Sequence, residues 1–210
     1  MNTGWFVEDA AFARFANTDA IAVLQPVIEK LGSLSGARCG IIGAGGAASA
    51  VLWSLRNVGA DTTLFARHEE AGQALANKFG ARFERLKTAQ WQGFDLVINA
   101  TPLGTRGPLE SFTVATAAVQ LRGARLAYDL VYNPGETQFM AEARAAGCDA
   151  IGGLSMLALQ AAEQFRLWTR CEPPLAVMRE AAMSTLSAPG SVRIRQGAER
   201  RFKSGFQSPK

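Results

Sequence analysis

Gly43-Ala44-Gly45-Gly46-Ala47-Ala48 is a G-x-G-x-x-A turn whose residue types suit a phosphate ligand. In such a turn the first glycine permits the tight bend and the second lets backbone approach a pyrophosphate. The last, small residue lets helix pack closely on strand. Phosphate oxygens then lie over the free N–H groups of a helix N-terminus. The surrounding residues fit: Cys39-Gly40-Ile41-Ile42 is a buried-strand run, and Ala47, Ala50, Val51, Leu55 and Val58 repeat at helical spacing. Gly59 stands where a C-terminal cap is expected, and a second strand follows at Thr62–Phe65. The end of that second strand selects between dinucleotides. A chain that takes NAD presents an acid there to the ribose 2′-hydroxyl; this one presents Arg67, between Ala66 and His68. A planar guanidinium can donate two charge-assisted hydrogen bonds to a 2′-phosphate, so NADP is the expected cofactor. The plain alternative is a solvated arginine paired with Glu69 or Glu70. His68, the only histidine, is expected to face solvent rather than stack on an adenine.

Strand-like runs alternate with helical patterns around this unit, which predicts βαβ units and a mainly parallel sheet. A helix is predicted over Glu69–Phe79, stopped by Gly80, and a weak strand near Arg82–Leu86. Further strands are expected at Asp95–Ile98, Ala124–Val131 and Ala150-Ile151, with a helix over Thr137–Ala146 closed by Gly147. Two helices, Ser155–Trp168 and Leu175–Leu186, follow, separated by Pro173-Pro174. In an open parallel sheet ligands bind beyond the carboxyl ends of the strands. Gly43–Gly46, Arg67, Asn99–Pro102, Tyr132–Pro134 and Gly152-Gly153 all fall at such ends, which predicts a cleft along one rim.

The first 33 residues stand outside the alternation. Trp5–Val7 and Phe12–Phe15 read as two short strands, a candidate hairpin, and two strands alone are too few for a domain. Asn17-Thr18-Asp19 then precedes a helical pattern with Ile21, Leu24, Ile28 and Leu31 on its apolar face and a candidate kink at Pro26. By spacing alone, Asn17 or Asp19 is an N-cap.

Composition narrows the class. The 210 residues are 48% hydrophobic, as in an ordinary globular core, and no apolar run approaches the ~18–20 residues that span a bilayer. Glu8 and Asp9 stand where a signal peptide would need a basic head and apolar core. Cys39, Cys148 and Cys171 are odd in number and unclustered, which predicts free thiols in a reducing cytoplasm and no metal. The net charge of +4 comes from the end of the chain: Ser187–Lys210 carries +5, leaving the body at −1. That stretch lacks apolar periodicity and is expected to be a disordered basic tail without a folded platform for nucleic acid.

Taken together, these motifs resemble the shikimate dehydrogenase family. The match runs from Asn2 to about Leu186 and rests on Asn17-Thr18-Asp19, GAGGAA, Arg67, the run Asn99–Gly104 (NATPLG), Tyr128–Pro134 (YDLVYNP) and Gly153–Phe165 (GLSMLALQAAEQF). The resemblance implies a Rossmann-type doubly wound α/β domain over 34–186, preceded by a short remnant of a substrate domain over 1–33. It implies NADPH-dependent reduction of 3-dehydroshikimate to shikimate, in the cytoplasm, within aromatic amino acid biosynthesis. Asn2, Asp19, Tyr132 and Gln160 would contact shikimate. Gly43, Ala44, Gly45, Gly46 and Ala47 would hold the pyrophosphate, and Arg67, flanked by Ala66 and His68, the 2′-phosphate. Thr101 would complete the cofactor set, and Leu130, Gly153 and Met156 would border the nicotinamide. Asp19 would be half of a catalytic Lys–Asp pair. The resemblance places that lysine upstream of Asn2, so this chain is expected to be a fragment, poorly active alone, with a complementing N-terminal domain as its implied partner.

The sequence departs from the family pattern at Ala66-Arg67-His68 (usually Asn-Arg-Thr), Thr105 (usually Met), Ala20 (usually Gly) and Arg170 (usually Gly). Two other readings stand beside the first: a catalytically silent NADP-binding module or partner subunit, and an NAD-using quinate/shikimate dehydrogenase. Arg67 opposes the last.

Overall fold

A computed structural model describes residues 3–6, 13–111 and 121–187. The basic stretch after Ser187 and Asn2 lie outside the described residues.

Strands β3 (Arg38–Ile42), β4 (Asp61–Ala66), β5 (Arg82–Arg85), β6 (Leu96–Asn99), β7 (Leu126–Asp129) and β8 (Asp149–Ile151) form one sheet in the order β5-β4-β3-β6-β7-β8. Every pairing in it is parallel. The inner strands are near-continuous apolar runs because both faces are covered. Successive side chains point to opposite faces, and the core divides accordingly. Ile41, Leu64, Ile98 and Tyr128 join one buried cluster with Val51 and Leu55 of helix α2 (Gly46–Asn57). Ile42, Phe65, Val97 and Ala127 join the other, with Trp91, Phe94 and Phe139. The strand order turns back between β3 and β6, which places a topological switch point beside the first glycine turn.

Helix boundaries follow local chemistry. α3 (Glu69–Phe79) ends at Gly80, whose φ of 69° is left-handed. α4 (Gln138–Ala145) begins at Thr137, whose hydroxyl accepts from the Met140 N–H. α5 (Leu154–Thr169) and α6 (Leu175–Ser187) are separated around Pro173-Pro174. The predicted strand Ala124–Val131 shortens to β7, because Ala124 closes a turn on Leu121 and the Val131 N–H turns to the Asp129 carboxylate.

Strands β1 (Thr3–Phe6) and β2 (Ala13–Ala16) pair antiparallel, as the expected hairpin requires, while Val7 and Phe12 of the expected strands lie outside the described residues. Helix α1 (Thr18–Leu31) continues through Pro26. Of the expected apolar pattern, Leu24 and Leu31 pack partly buried against the core and Ile21 and Ile28 do not. Val23, Pro26 and Val27 are buried with Ala20 and Ala22, while Ile21 and Ile28 are 58% and 45% exposed. Small residues win the inner face because α1 packs closely against neighbouring helices; the Ser54 hydroxyl of α2 donates to the Ala20 carbonyl at 2.7 Å.

Candidate cofactor-binding site

Parallel strands deliver their carboxyl ends to one rim, where a cavity of about 530 Å³ opens. Gly43, Ala44 and Gly45 line it from the turn after β3, Ala66, Arg67 and His68 from the end of β4, and Thr101 from the loop after β6. Seven residues singled out in the sequence thus share one cavity.

Gly43 is fixed by its neighbours. Its φ is 114°, its N–H donates to the Phe65 carbonyl at 2.8 Å, and a Cβ there would lie 3.0 Å from the Ala100 carbonyl oxygen. Gly45 and Gly46 are the opposite case: a Cβ at either would meet nothing within 4 Å. Gly45 caps α2 and has no side chain of its own to cover the helix N–H groups that an anion would use. Gly46 and Ala47 are exposed in the first turn of α2, and Ala48 is fully buried where helix meets strand.

Arg67 and His68 are both exposed. His68 occupies the N-cap position of α3 without a side-chain capping bond and borders the cavity. Glu69 pairs with Arg85 rather than with Arg67, and among the described residues Arg67 has no ion-pair partner. The surface-pair alternative for Arg67 therefore finds no acid.

The loops after β6 and β7 are held by a buried polar network that sequence reasoning did not single out. The Asn99 side-chain amide donates to Asp129 Oδ1 at 2.9 Å, while Asn99 Oδ1 accepts from the Thr101 N–H at 3.0 Å and the Thr101 hydroxyl at 2.7 Å. Asp129 also accepts from the Val131 N–H at 3.0 Å and the Thr137 hydroxyl at 2.6 Å. Asn99 and Asp129 are both fully buried. Burial pushes the Asp129 carboxyl up to about 6, against the pull of the Thr137, Val131 and Asn99 donors. The available signal was an Asp closing an apolar run eight residues before a helix-capping Thr.

Leu130, Gly153 and Met156 gather farther along the rim. The Gly153 N–H donates to the Val131 carbonyl at 3.1 Å, and a Cβ on Gly153 would stand 2.2 Å from the Leu130 carbonyl oxygen. Met156 and Leu130 both pack on the core cluster of Tyr128. These three residues are outside the 530 Å³ cavity but border the same strand ends.

Of the expected substrate residues, Asp19, Tyr132 and Gln160 are among those described. Asp19 lies in the first turn of α1, half-buried, and its N–H donates to the Asn17 side chain at 3.1 Å, so Asn17 is the N-cap. The Thr18 hydroxyl is 3.4 Å from that of Thr3, which accepts from Gln164 of α5 at 3.1 Å. Gln160 is half-buried one turn earlier on α5, so Asp19 and Gln160 stand on two helices tied together at this level. Tyr132 is 46% exposed, and the carbonyl of Asn133 beside it accepts from the Arg106 N–H at 2.7 Å. Among the described residues no cluster of His, Cys, Asp and Glu could hold a metal ion, and no helix is long and apolar enough to cross a membrane.

Known proteins share this fold and much of this sequence. Residues 153–183 match the shikimate 5′-dehydrogenase C-terminal domain. The chain is 39% identical over 174 residues to the shikimate dehydrogenase (NADP(+)) of Oleidesulfovibrio alaskensis, covering 82% of this chain and 62% of that protein. It is 34% identical over 202 residues to the shikimate dehydrogenase (NADP(+)) of Methanosarcina acetivorans, covering 90% of this chain and 69% of that one. A crystal structure of a shikimate dehydrogenase in complex with NADP+ superimposes with a TM-score of 0.77 at 31% identity, covering 86% of this chain and 65% of that chain. The chain thus spans between 62% and 69% of the length of these relatives.

Proposed function

The chain belongs to the shikimate dehydrogenase family, and from that premise we propose that it binds NADP(H) along its strand-end rim for the reversible reduction of 3-dehydroshikimate to shikimate in the cytoplasm. The observation that carries the reading is the cavity with the glycine turn, open at Gly45, on one wall and Arg67, which has no ion-pair partner among the described residues, on another. The residues fit the cofactor. Open space over Gly45 and Gly46 admits a pyrophosphate against helix N–H groups. Arg67 meets the 2′-phosphate, and Leu130, Gly153 and Met156 border the nicotinamide.

When bound, the nicotinamide supplies or accepts the hydride, and one proton accompanies it on the substrate oxygen. The chain's own residues orient the partners: Tyr132 and Gln160 grip substrate hydroxyls together with Asn2, and Asp19 orients a proton-transferring lysine. Holding reacting atoms about 3–3.5 Å apart is worth up to ~7–11 kcal/mol, and general acid–base help a further 10²–10⁴-fold. We propose that a lysine-bearing substrate domain supplies the facing wall, and that these 210 residues alone turn over poorly.

The test is a steady-state assay of the 210-residue polypeptide with shikimate and NADP+, alone and with a family N-terminal domain added in trans. The expected result is scarcely any NADPH formed alone and a clear rise with the added domain. Rapid turnover by the polypeptide alone would mean that another residue replaces the lysine. Inability to bind NADPH would remove the reading altogether.

A further inference from the structure

Strand β5 runs parallel to β4 with Arg85 opposite Ala66. Adjacent strands lie about 4.8 Å apart, so the residues just past the two strand ends, Arg67 and the short 3₁₀ turn Leu86–Thr88, are neighbours. A second cavity of about 360 Å³ lies between them, bordered by Arg67, Glu69, Arg85 and Lys87. It shares Ala66, Arg67 and Leu86 with the 530 Å³ cleft, so the two spaces adjoin at these residues.

The charges around this annex are unbalanced. Three cations face one acid, and that acid, Glu69, is taken by Arg85. Among the described residues neither Arg67 nor Lys87 has an ion-pair partner. Two like charges bordering one small opening repel each other unless an anion enters. The anion that fits is one carried by a ligand already seated in the main cleft, because Arg67 lines both spaces. Arg67 contributes a planar fork, whereas Lys87 contributes a compact charge with three rotatable donors, so the two can grip one phosphate from different sides.

We propose that Lys87 is a second specificity-determining residue, holding the phosphomonoester on the dinucleotide ribose opposite Arg67. This rests on the NADP(H) reading above and extends it to a wall of the site that lies outside the glycine turn and the end of β4.

The experiment measures dissociation constants of the full chain for NADPH, NADH and 2′-phospho-ADP-ribose in wild type, Lys87→Gln and Lys87→Arg, at low and moderate salt. Lys87 is exposed, so both variants are expected to fold, and circular dichroism checks that they do. Lys87→Gln is expected to lose about fivefold to tenfold for NADPH and the 2′-phosphorylated probe and less than about twofold for NADH, with the loss shrinking as salt rises. Lys87→Arg is expected to retain most of the affinity. A wild type that prefers NADPH beside a Lys87→Gln that binds it equally well overturns the proposal and leaves the cofactor reading intact. Equal losses for NADPH and NADH also overturn it. A wild type with no preference for NADPH overturns the cofactor reading, and the proposal with it.

Discussion

Asn99 and Asp129 face each other at the carboxyl ends of neighbouring parallel strands, in register and joined by a 2.9 Å hydrogen bond from the Asn99 amide to the carboxylate. Through this bond the loop that starts at Thr101 and the loop that starts at Leu130 become one unit. Thr101 borders the cofactor cavity and hangs on Asn99 by two hydrogen bonds. Val131 and the cap of α4 hang on Asp129.

Removing one partner should therefore cost more than one ordinary hydrogen bond. Asn99→Leu leaves a buried carboxylate short of a donor and frees Thr101. A loss of about 1–3 kcal/mol in stability is expected, toward the upper end because the acceptor is charged. Urea unfolding measures it, and NADPH affinity should fall in the same variant. A change below about 0.5 kcal/mol would mean that the network does not hold the rim.

The raised carboxyl of Asp129 has a definite consequence for pH. Its ordinary value is 3.8 and burial lifts it to about 6 in the folded chain. The folded state then binds a proton more tightly than the unfolded state. The stability this contributes is fully present below about pH 3.8 and is lost as pH rises through about 6. Two pH units correspond to about 3 kcal/mol at most. Comparing wild type with Asp129→Asn across this window isolates the effect, since other titrating groups are common to both. The difference, wild type minus variant, should fall as pH rises; a flat or rising difference would contradict the assignment.

The glycines of the rim separate ligand contact from folding. Gly45→Ala adds a methyl group into empty space, so stability should be unchanged or slightly higher. The same methyl stands where a pyrophosphate would approach, so NADPH binding should weaken by about 1.5–3 kcal/mol, the worth of a charge-assisted hydrogen bond. Gly153→Ala drives its Cβ into the Leu130 backbone and should destabilise by about 1–3 kcal/mol or more. Calorimetric titration beside thermal melts distinguishes the two. Parallel losses of stability in both variants would place Gly45 among the structural glycines.

Much of this was legible in the sequence because local chemistry and tertiary demand agree there. The strand before Gly43, the α3 boundaries Glu69–Phe79 with Gly80, and an antiparallel strand pair that includes Trp5 and Phe15 emerge where expected. The cavity residues from Gly43 to Thr101 were legible because a parallel sheet puts all strand ends on one side. The inner face of helix α1 was only partly legible, because Leu24 and Leu31 pack on the core while Ile21 and Ile28 are exposed and Ala20, Val23 and Val27 are buried in their place. Periodicity registers how apolar a face is, not how closely another helix must approach it. The Asn99–Asp129 pair was hidden for another reason: thirty residues separate the two, and only strand pairing brings them into register.

Whether this rim holds NADP(H) with Arg67 as the principal discriminator is measured by a paired titration of wild type and Arg67→Ala with NADPH and NADH. Wild type should bind NADPH more tightly by about tenfold or more. Arg67→Ala should remove most of that preference, since it deletes one or two charge-assisted hydrogen bonds worth at most about 1.5–3 kcal/mol each and less at an exposed site. NADH affinity should hardly move. Equal binding of both dinucleotides by wild type, or equal losses of both in Arg67→Ala, would contradict the account.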